Sequence, residues 1–388
     1  MFNFTAMPPL SLYIHLPWCV RKCPYCDFNS YELKDALAEQ VYVQALVKDL
    51  VWEGQRSAGR GVSSVFMGGG TPSLFSAAAI GAVLDAAAAR LCLEGGAEIT
   101  LEANPGTFDE SRFAGFHRAG VNRLSIGIQS FDNARLHDIG RIHSGDEALR
   151  AFYGARAAGF DNINVDVMYG LPGQTLEQAV SDLRTALDLQ PEHISHYQLT
   201  LEPQTPFYHR RPDLPDEETL WAMQVQCQAL LAAAGYAQYE VSAYARPGRQ
   251  CRHNLNYWRF GDYLGVGAGA HGKLTDEACH GIERTWKVKH PNQYLQWAGS
   301  ARSAAGSQAL TPRDAAFEFM LNALRLVDGF EVSLFQAHTG LESTVLEEGL
   351  MAARDKGLMH WDECYIRPTP QGRRYLNDLL EIFLPEPA

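Results

Sequence analysis

Three cysteines stand close together in CVRKCPYC: Cys19, then three residues, Cys23, then two residues, Cys26. Thiolates are soft, strong ligands, and closely spaced ones converge around a small metal centre. A structural zinc ion normally needs a fourth ligand, and Asp27 is a poor fourth member of a site built on sulfur. A [4Fe-4S] cluster on three thiolates would instead leave one iron open to a further ligand. Zinc and unliganded thiols remain the simpler alternatives at this point. A second run, Gly68, Gly69, Gly70, Thr71, Pro72, follows SSVFM. Glycines let backbone groups come close to a ligand without a side-chain collision. The run has neither the GxGxxG spacing of a dinucleotide site nor the lysine of a phosphate loop.

These groups need a frame to hold them. Six short β-rich runs (SLYIH, SSVFM, EITLEA, RLSIGI, INVDVM and ISHYQL) alternate with helix-compatible stretches at 34–55, 73–91, 109–119, 146–159 and 175–189. Apolar residues run continuously through the strands, which indicates parallel strands covered by helices. Thr175 caps one helix, and Gly120 and Gly159 fall where helices stop. The pattern predicts an α/β fold: an incomplete parallel (β/α)6 barrel over 1–205, with an open doubly wound sheet as the competitor. Either fold puts binding groups at the carboxyl ends of its strands. After Glu202 a proline-containing stretch leads to a connecting α+β region over 206–305, which carries HNLNYW and GVGAGAHG. A small winged-helix-like domain is expected over 306–388. There Phe317, Met320, Leu321 and Leu324 make an apolar helical stripe, read as core.

Composition narrows the function classes. The chain has 388 residues, is 46% hydrophobic and carries a net charge of −12. That supports a large core and disfavours a nucleic-acid-coating role. No apolar run reaches transmembrane length, and no basic region leads into a cleavage site, so the expected setting is cytoplasmic, with at most peripheral membrane contact. Eight cysteines would allow disulfides by parity, but three of them crowded into one loop favour a metal centre. The other five, Cys92, Cys227, Cys251, Cys279 and Cys364, are read as packing or incidental thiols.

The run YIHLPWCVRKCPYCDFNS, with GGGTP after it, resembles the radical S-adenosylmethionine (SAM) proteins related to oxygen-independent coproporphyrinogen III oxidase, and more closely their haem-chaperone branch. The resemblance spans nearly the whole chain. It implies that Cys19, Cys23 and Cys26 bind three irons of a [4Fe-4S] cluster, while SAM chelates the fourth. Tyr13 and Tyr25 match aromatic positions around the cofactor, and Gly69, Gly70 and Thr71 match the loop that binds the SAM amino-acid group. Glu102, Gln129, Arg141 and Asp166 follow successive strands and match the remaining SAM contacts. Carboxylates suit ribose hydroxyls or the SAM ammonium, while glutamine and arginine orient polar parts of the ligand.

HNLNYW matches the HNxxYW motif of the haem-chaperone branch, which makes His253 a candidate haem ligand and Tyr257 and Trp258 candidate covers for the porphyrin. His271 in GVGAGAHG is assigned no catalysis. Asp27 stands where the oxidase branch carries a further cysteine, and little sequence precedes Tyr13. The resemblance therefore implies a haem chaperone that passes haem to an acceptor protein, with a respiratory haem enzyme as the acceptor class and a cluster-dependent homodimer as its assembly. Coproporphyrinogen III oxidation by radical SAM chemistry is the alternative. Cluster and SAM do not by themselves imply turnover, and no catalytic residue is assigned.

Overall fold

A computed structural model describes residues 2–107, 109–276 and 280–385. Cys279 lies outside the described residues. Six strands run parallel and in sequence order: β1 (Leu10–Leu16), β2 (Gly61–Gly69), β3 (Cys92–Ala103), β4 (Arg123–Gln129), β5 (Ile163–Tyr169) and β6 (His193–Gln198). Helices α1 (Glu39–Arg56), α2 (Ala77–Arg90), α3 (Glu110–Arg118), α4 (Gly145–Ala157) and α5 (Leu176–Asp188) make the crossovers, and α6 (Glu217–Ala233) follows β6. The strand order never reverses across these units. A doubly wound sheet would show a reversal, so the barrel-type winding is the one adopted.

Local chemistry explains where these helices begin and end. The Thr175 hydroxyl accepts from the Gln178 amide while the Thr175 amide donates to Gln178 Oε1, closing a capping box on α5. Gly120 and Gly159 take positive φ just past α3 and α4. The core between sheet and helices is apolar: Leu12, Ile14, Val65, Met67, Leu101, Leu124, Ile126 and Val165 are all at most 1% exposed.

The segment after β6 does not stand beside this sheet; it extends the sheet at both edges. Strand β8 (Ala243–Ala245) adds antiparallel to β6, and β7 (Ala237–Glu240) pairs antiparallel with β8 at the edge. At the other edge β9 (Asp262–Val266) pairs parallel with β1, Leu10 opposite Asp262 and Ile14 opposite Val266. Then β10 (His271–Asp276), β11 (Gly281–Lys287) and β12 (Ala304–Ala309) continue antiparallel, giving one 12-stranded sheet. Buried ions anchor the extension. Lys273 of β10 and Arg60 both bond to Asp262 at 2.8 Å, and Lys287 of β11 reaches Asp49 and Glu53 of α1 at 2.7 and 2.6 Å.

HNLNYW forms the short helix α7 (Arg252–Trp258), which leads into β9. Beyond the sheet, α8 (Pro312–Ala323) opens a second apolar core, closed by the small sheet of β13 (Phe330–Glu331), β14 (Met359–Trp361) and β15 (Tyr365–Pro368). The expected helical stripe needs one correction. Met320 and Leu324 are buried, but Leu321 is 42% exposed and Phe317 only half-buried; Ala315, Phe319 and Ala323 complete the buried face instead. A wider stripe than the one read from the sequence is needed to cover both the sheet extension and the small domain.

Candidate functional site

The carboxyl ends of β1, β2, β3 and β4 meet at one end of the sheet. The chain leaving β1 forms the cysteine loop, held by a two-residue pairing of Trp18–Cys19 with Tyr31–Glu32 and by a turn in which the Cys26 amide bonds to the Cys23 carbonyl at 3.1 Å. Cys19, Cys23 and Cys26 are half-buried and free. Burial pushes the Cys19 thiol up, and the hydroxyls of Thr71 and Ser30 oppose that shift; the other two thiols add to it. The three thiols thus lie within one loop and within electrostatic range of one another. Among the described residues no three His, Cys, Asp or Glu side chains close on a single metal ion. A cluster places each thiolate on a different iron, so its ligands stand further apart than those of one ion.

The glycine run fits beneath this loop for a local reason. Gly69 ends β2 with φ of 115°, and a Cβ there would come within 2.3 Å of the His15 ring. Gly70 donates to the Leu16 carbonyl at 2.9 Å and Thr71 to the Trp18 carbonyl at 2.8 Å, which stitches the run to the approach of the cysteine loop. The Gly69 amide also donates to Glu102 Oε2 at 3.2 Å.

Two acidic side chains stand behind the loop. Burial first, and then repulsion from Asp166, push the Glu102 carboxyl up to about 8. Burial also raises Asp166, against bonds from Asn164 (2.8 Å) and Ser195 and the positive charges of Arg123 and Arg141. Among the described residues neither carboxylate has a salt-bridge partner. Arg141 Nη1 lies 3.7 Å from Cys23 Sγ, and its other nitrogen bonds to the Gly127 carbonyl. Gln129 takes φ of 72°, and its Oε1 accepts from the Tyr197 hydroxyl at 2.7 Å. Tyr25 packs against Phe207, with ring centres 6.5 Å apart. Two half-buried carboxylates with no salt-bridge partner among the described residues, near three free thiols, are a donor set that suits a cationic amino-acid ligand with hydroxyls; the residues present fit SAM and a cluster.

A cavity of about 600 Å³ opens from this corner. Its lining includes Tyr13, Gly69 and Glu102, Lys22 and Asp27 to Tyr31 of the cysteine loop, and Tyr257, Tyr263, His271 and Lys289. Of the residues singled out in the sequence, Tyr13, Gly69 and Glu102 reach the cavity wall, while Tyr25 and Arg141 touch the cysteine loop or its packing. His253 is placed differently. It is 1% exposed, with Nδ1 3.0 Å from Ser64 Oγ and Nε2 3.2 Å from the Tyr257 hydroxyl, and its ring stacks on Phe66. Burial and the Arg123 charge lower its pKa to about 3. Trp258 turns away from the cavity and lies under Arg325, 4.3 Å from its ring centre.

Sequence reasoning missed four contributors: His15, Asn29, Tyr197 and Tyr263. His15 bridges the Tyr13 hydroxyl and the Asn29 carbonyl, each at 2.9 Å. Asn29 Nδ2 in turn donates to the carbonyls of Ala268 and Lys289, each at 3.0 Å. Only the proximity of His15 and Asn29 to the cysteines signalled them.

Comparison with known proteins follows this geometry. The radical SAM superfamily pattern matches residues 13–186, and the HemN C-terminal domain pattern matches 310–375. The chain is 50% identical over 380 residues to the heme chaperone HemW of Escherichia coli (strain K12), covering 98% of this chain and 99% of that one. It is 47% identical over 384 residues to the heme chaperone HemW of Haemophilus influenzae, with 98% and 99% coverage. Among solved structures, coproporphyrinogen III oxidase (HemN) from Escherichia coli, a radical SAM enzyme, superposes with a TM-score of 0.83 at 25% identity, over 97% of this chain and 90% of that one.

Proposed function

The chain belongs to the heme-chaperone branch of the radical SAM superfamily, within the oxygen-independent coproporphyrinogen III oxidase-like family, and from that premise we propose that it binds haem, a [4Fe-4S] cluster and SAM and transfers the haem to an acceptor protein. One observation carries this reading: a single cavity takes in Gly69 and Glu102, the residues that flank the three cysteines (Lys22 and Asp27 to Tyr31), and the aromatic and cationic side chains Tyr257, Tyr263 and Lys289. Cys19, Cys23 and Cys26 hold the cluster, which when bound supplies an open iron for SAM. Glu102 and Asp166 receive the ammonium and ribose hydroxyls, and Gly69, Gly70 and Thr71 flank the amino-acid group with backbone donors and acceptors. Arg141 sits against Cys23, where its charge offsets that of the thiolates. Gln129, fixed by Tyr197, orients the polar rim of the ligand. Tyr13 and Tyr25 wall the pocket.

On the haem side His271 and Lys289 are exposed, which suits a cargo that must leave. Tyr257 and Tyr263 stand edge to face, with ring centres 4.5 Å apart, and offer an aromatic surface to a flat macrocycle. Asp27, at the position where the oxidase branch carries a cysteine, is exposed on the cavity rim. We assign the acceptor to the respiratory haem enzymes and the setting to the cytoplasm, with a homodimer formed on cluster loading.

The test pairs two assays on haem-loaded, cluster-loaded protein. Incubation with an apo-acceptor is expected to restore acceptor activity together with its absorption spectrum. Incubation with coproporphyrinogen III, reductant, SAM and an electron acceptor is expected to yield no protoporphyrinogen IX. Robust SAM-dependent decarboxylation with a 5′-deoxyadenosine product would replace the chaperone reading with the oxidase one.

A further inference from the structure

The haem-binding end of the cavity has two histidines in its lining, His15 and His271. A haem-iron ligand needs one ring nitrogen free to face the metal. His15 has both nitrogens engaged, by the Tyr13 hydroxyl and the Asn29 carbonyl. His253, the histidine of HNLNYW, lies outside the lining and also has both nitrogens engaged, by Ser64 and Tyr257. His271 differs from both. It is the first residue of β10, it is solvent-exposed, and its ring makes no hydrogen bond among the described residues.

Its surroundings suit a tetrapyrrole. Tyr257 and Tyr263 form the adjoining aromatic wall, and Phe28, 58% exposed, offers an apolar ring at the rim. Lys289 is exposed on the same wall, a cation for a carboxylate substituent. On this geometry, and resting on the haem-trafficking reading above, we propose that His271, rather than His253, supplies the axial nitrogen to the iron of the bound haem.

The same contacts link this ligand to the cysteine loop. Asn29, three residues beyond Cys26, bonds to Ala268 and Lys289 on the two segments that flank His271 in the fold. Gly269, with φ of 79°, lies so close that a Cβ would meet Asn29 Nδ2 at 2.2 Å. Tyr31 adds a bond to the Lys289 carbonyl at 3.2 Å. Ordering of the cysteine loop therefore sets the position of His271 and Lys289 together.

The experiment uses full-length, cluster-loaded protein and ferric haem. His271→Gly is expected to lose the nitrogen-ligated absorption and electron paramagnetic resonance signature and to bind haem about tenfold more weakly, a change of about 1.4 kcal/mol. Iron content and SAM affinity stay at wild-type values, and added imidazole restores the signature. His253→Gln retains the signature. An unchanged spectrum in His271→Gly overturns the assignment, as does loss of the signature in a cluster-loaded His253→Gln protein. The two readings fail separately. Wild-type protein that binds no haem removes the chaperone function and this ligand with it, whereas wild-type protein that transfers haem with an unaltered His271→Gly spectrum removes only the ligand.

Discussion

Asp262 and Glu102 are carboxylates on the same sheet, the first fully buried and the second half-buried on the cavity wall, and they meet opposite fates. Burial alone would raise Asp262, but Lys273 and Arg60, both at 2.8 Å, hold it below its ordinary range, and the Thr275 amide and hydroxyl take up its remaining capacity. Glu102 meets one backbone amide and a second carboxylate, and its pKa climbs to about 8. A fully satisfied charge fixes the position of two strands. An unsatisfied one stores a preference for something not yet in place. The contrast separates an acid whose bonding capacity is used up inside the fold from one whose capacity remains open at the cavity.

Breaking the satisfied side has the largest effect. Asp262→Ala leaves Lys273, 1% exposed, and Arg60 without their carboxylate, and is expected to cost roughly 3–5 kcal/mol in denaturant unfolding. A loss under about 1 kcal/mol would erase the distinction. On the other side, Asp166→Ala is expected to leave cluster loading intact and weaken SAM binding about tenfold, read by calorimetry on equally loaded proteins. Unchanged SAM affinity removes Asp166 from the pocket.

The smallest effect is on pH dependence. The folded-state pKa of Glu102 lies above its ordinary 4.5, so between about 4.5 and 8 the folded protein keeps a proton that the unfolded chain releases. Stability of the cofactor-free protein therefore falls as pH rises through that window. Glu102→Gln is expected to flatten the decline by about 1 kcal/mol, the cavity water screening the rest. Denaturation midpoints at the two ends of the window measure it, and equal slopes in both proteins would show that Glu102 is not held uncharged.

What could be read from the sequence follows the range of the interactions. The cysteine loop, the glycine run and the capping box of Thr175 are set by neighbours a few residues away, and their residue types announce them. The six parallel strands show through their apolar runs. The parallel pairing of β9 with β1 joins residues 10–14 to 262–266, and no local pattern encodes it. The part of the cavity lined by Tyr257, Tyr263 and His271 suffers most from this. HNLNYW pointed to His253, yet on a seven-residue helix nothing in the spacing reveals that its ring turns inward to Ser64 of β2. His271 joins the cavity only because β10 doubles back beside β9, a contact made by topology.

That pairing also has a consequence in time. β1 lies between β2 and β9, and β9 is translated last by a wide margin. At the usual ~5–20 residues per second, roughly 13 to 50 s pass between synthesis of β1 and of its second neighbour. During that interval the strand feeding the cysteine loop is an open sheet edge, and the Asn29 clasp on Ala268 has nothing to close on. The loop that carries the first thiols of the chain therefore gains its last clasps only after roughly two thirds of the chain has been made.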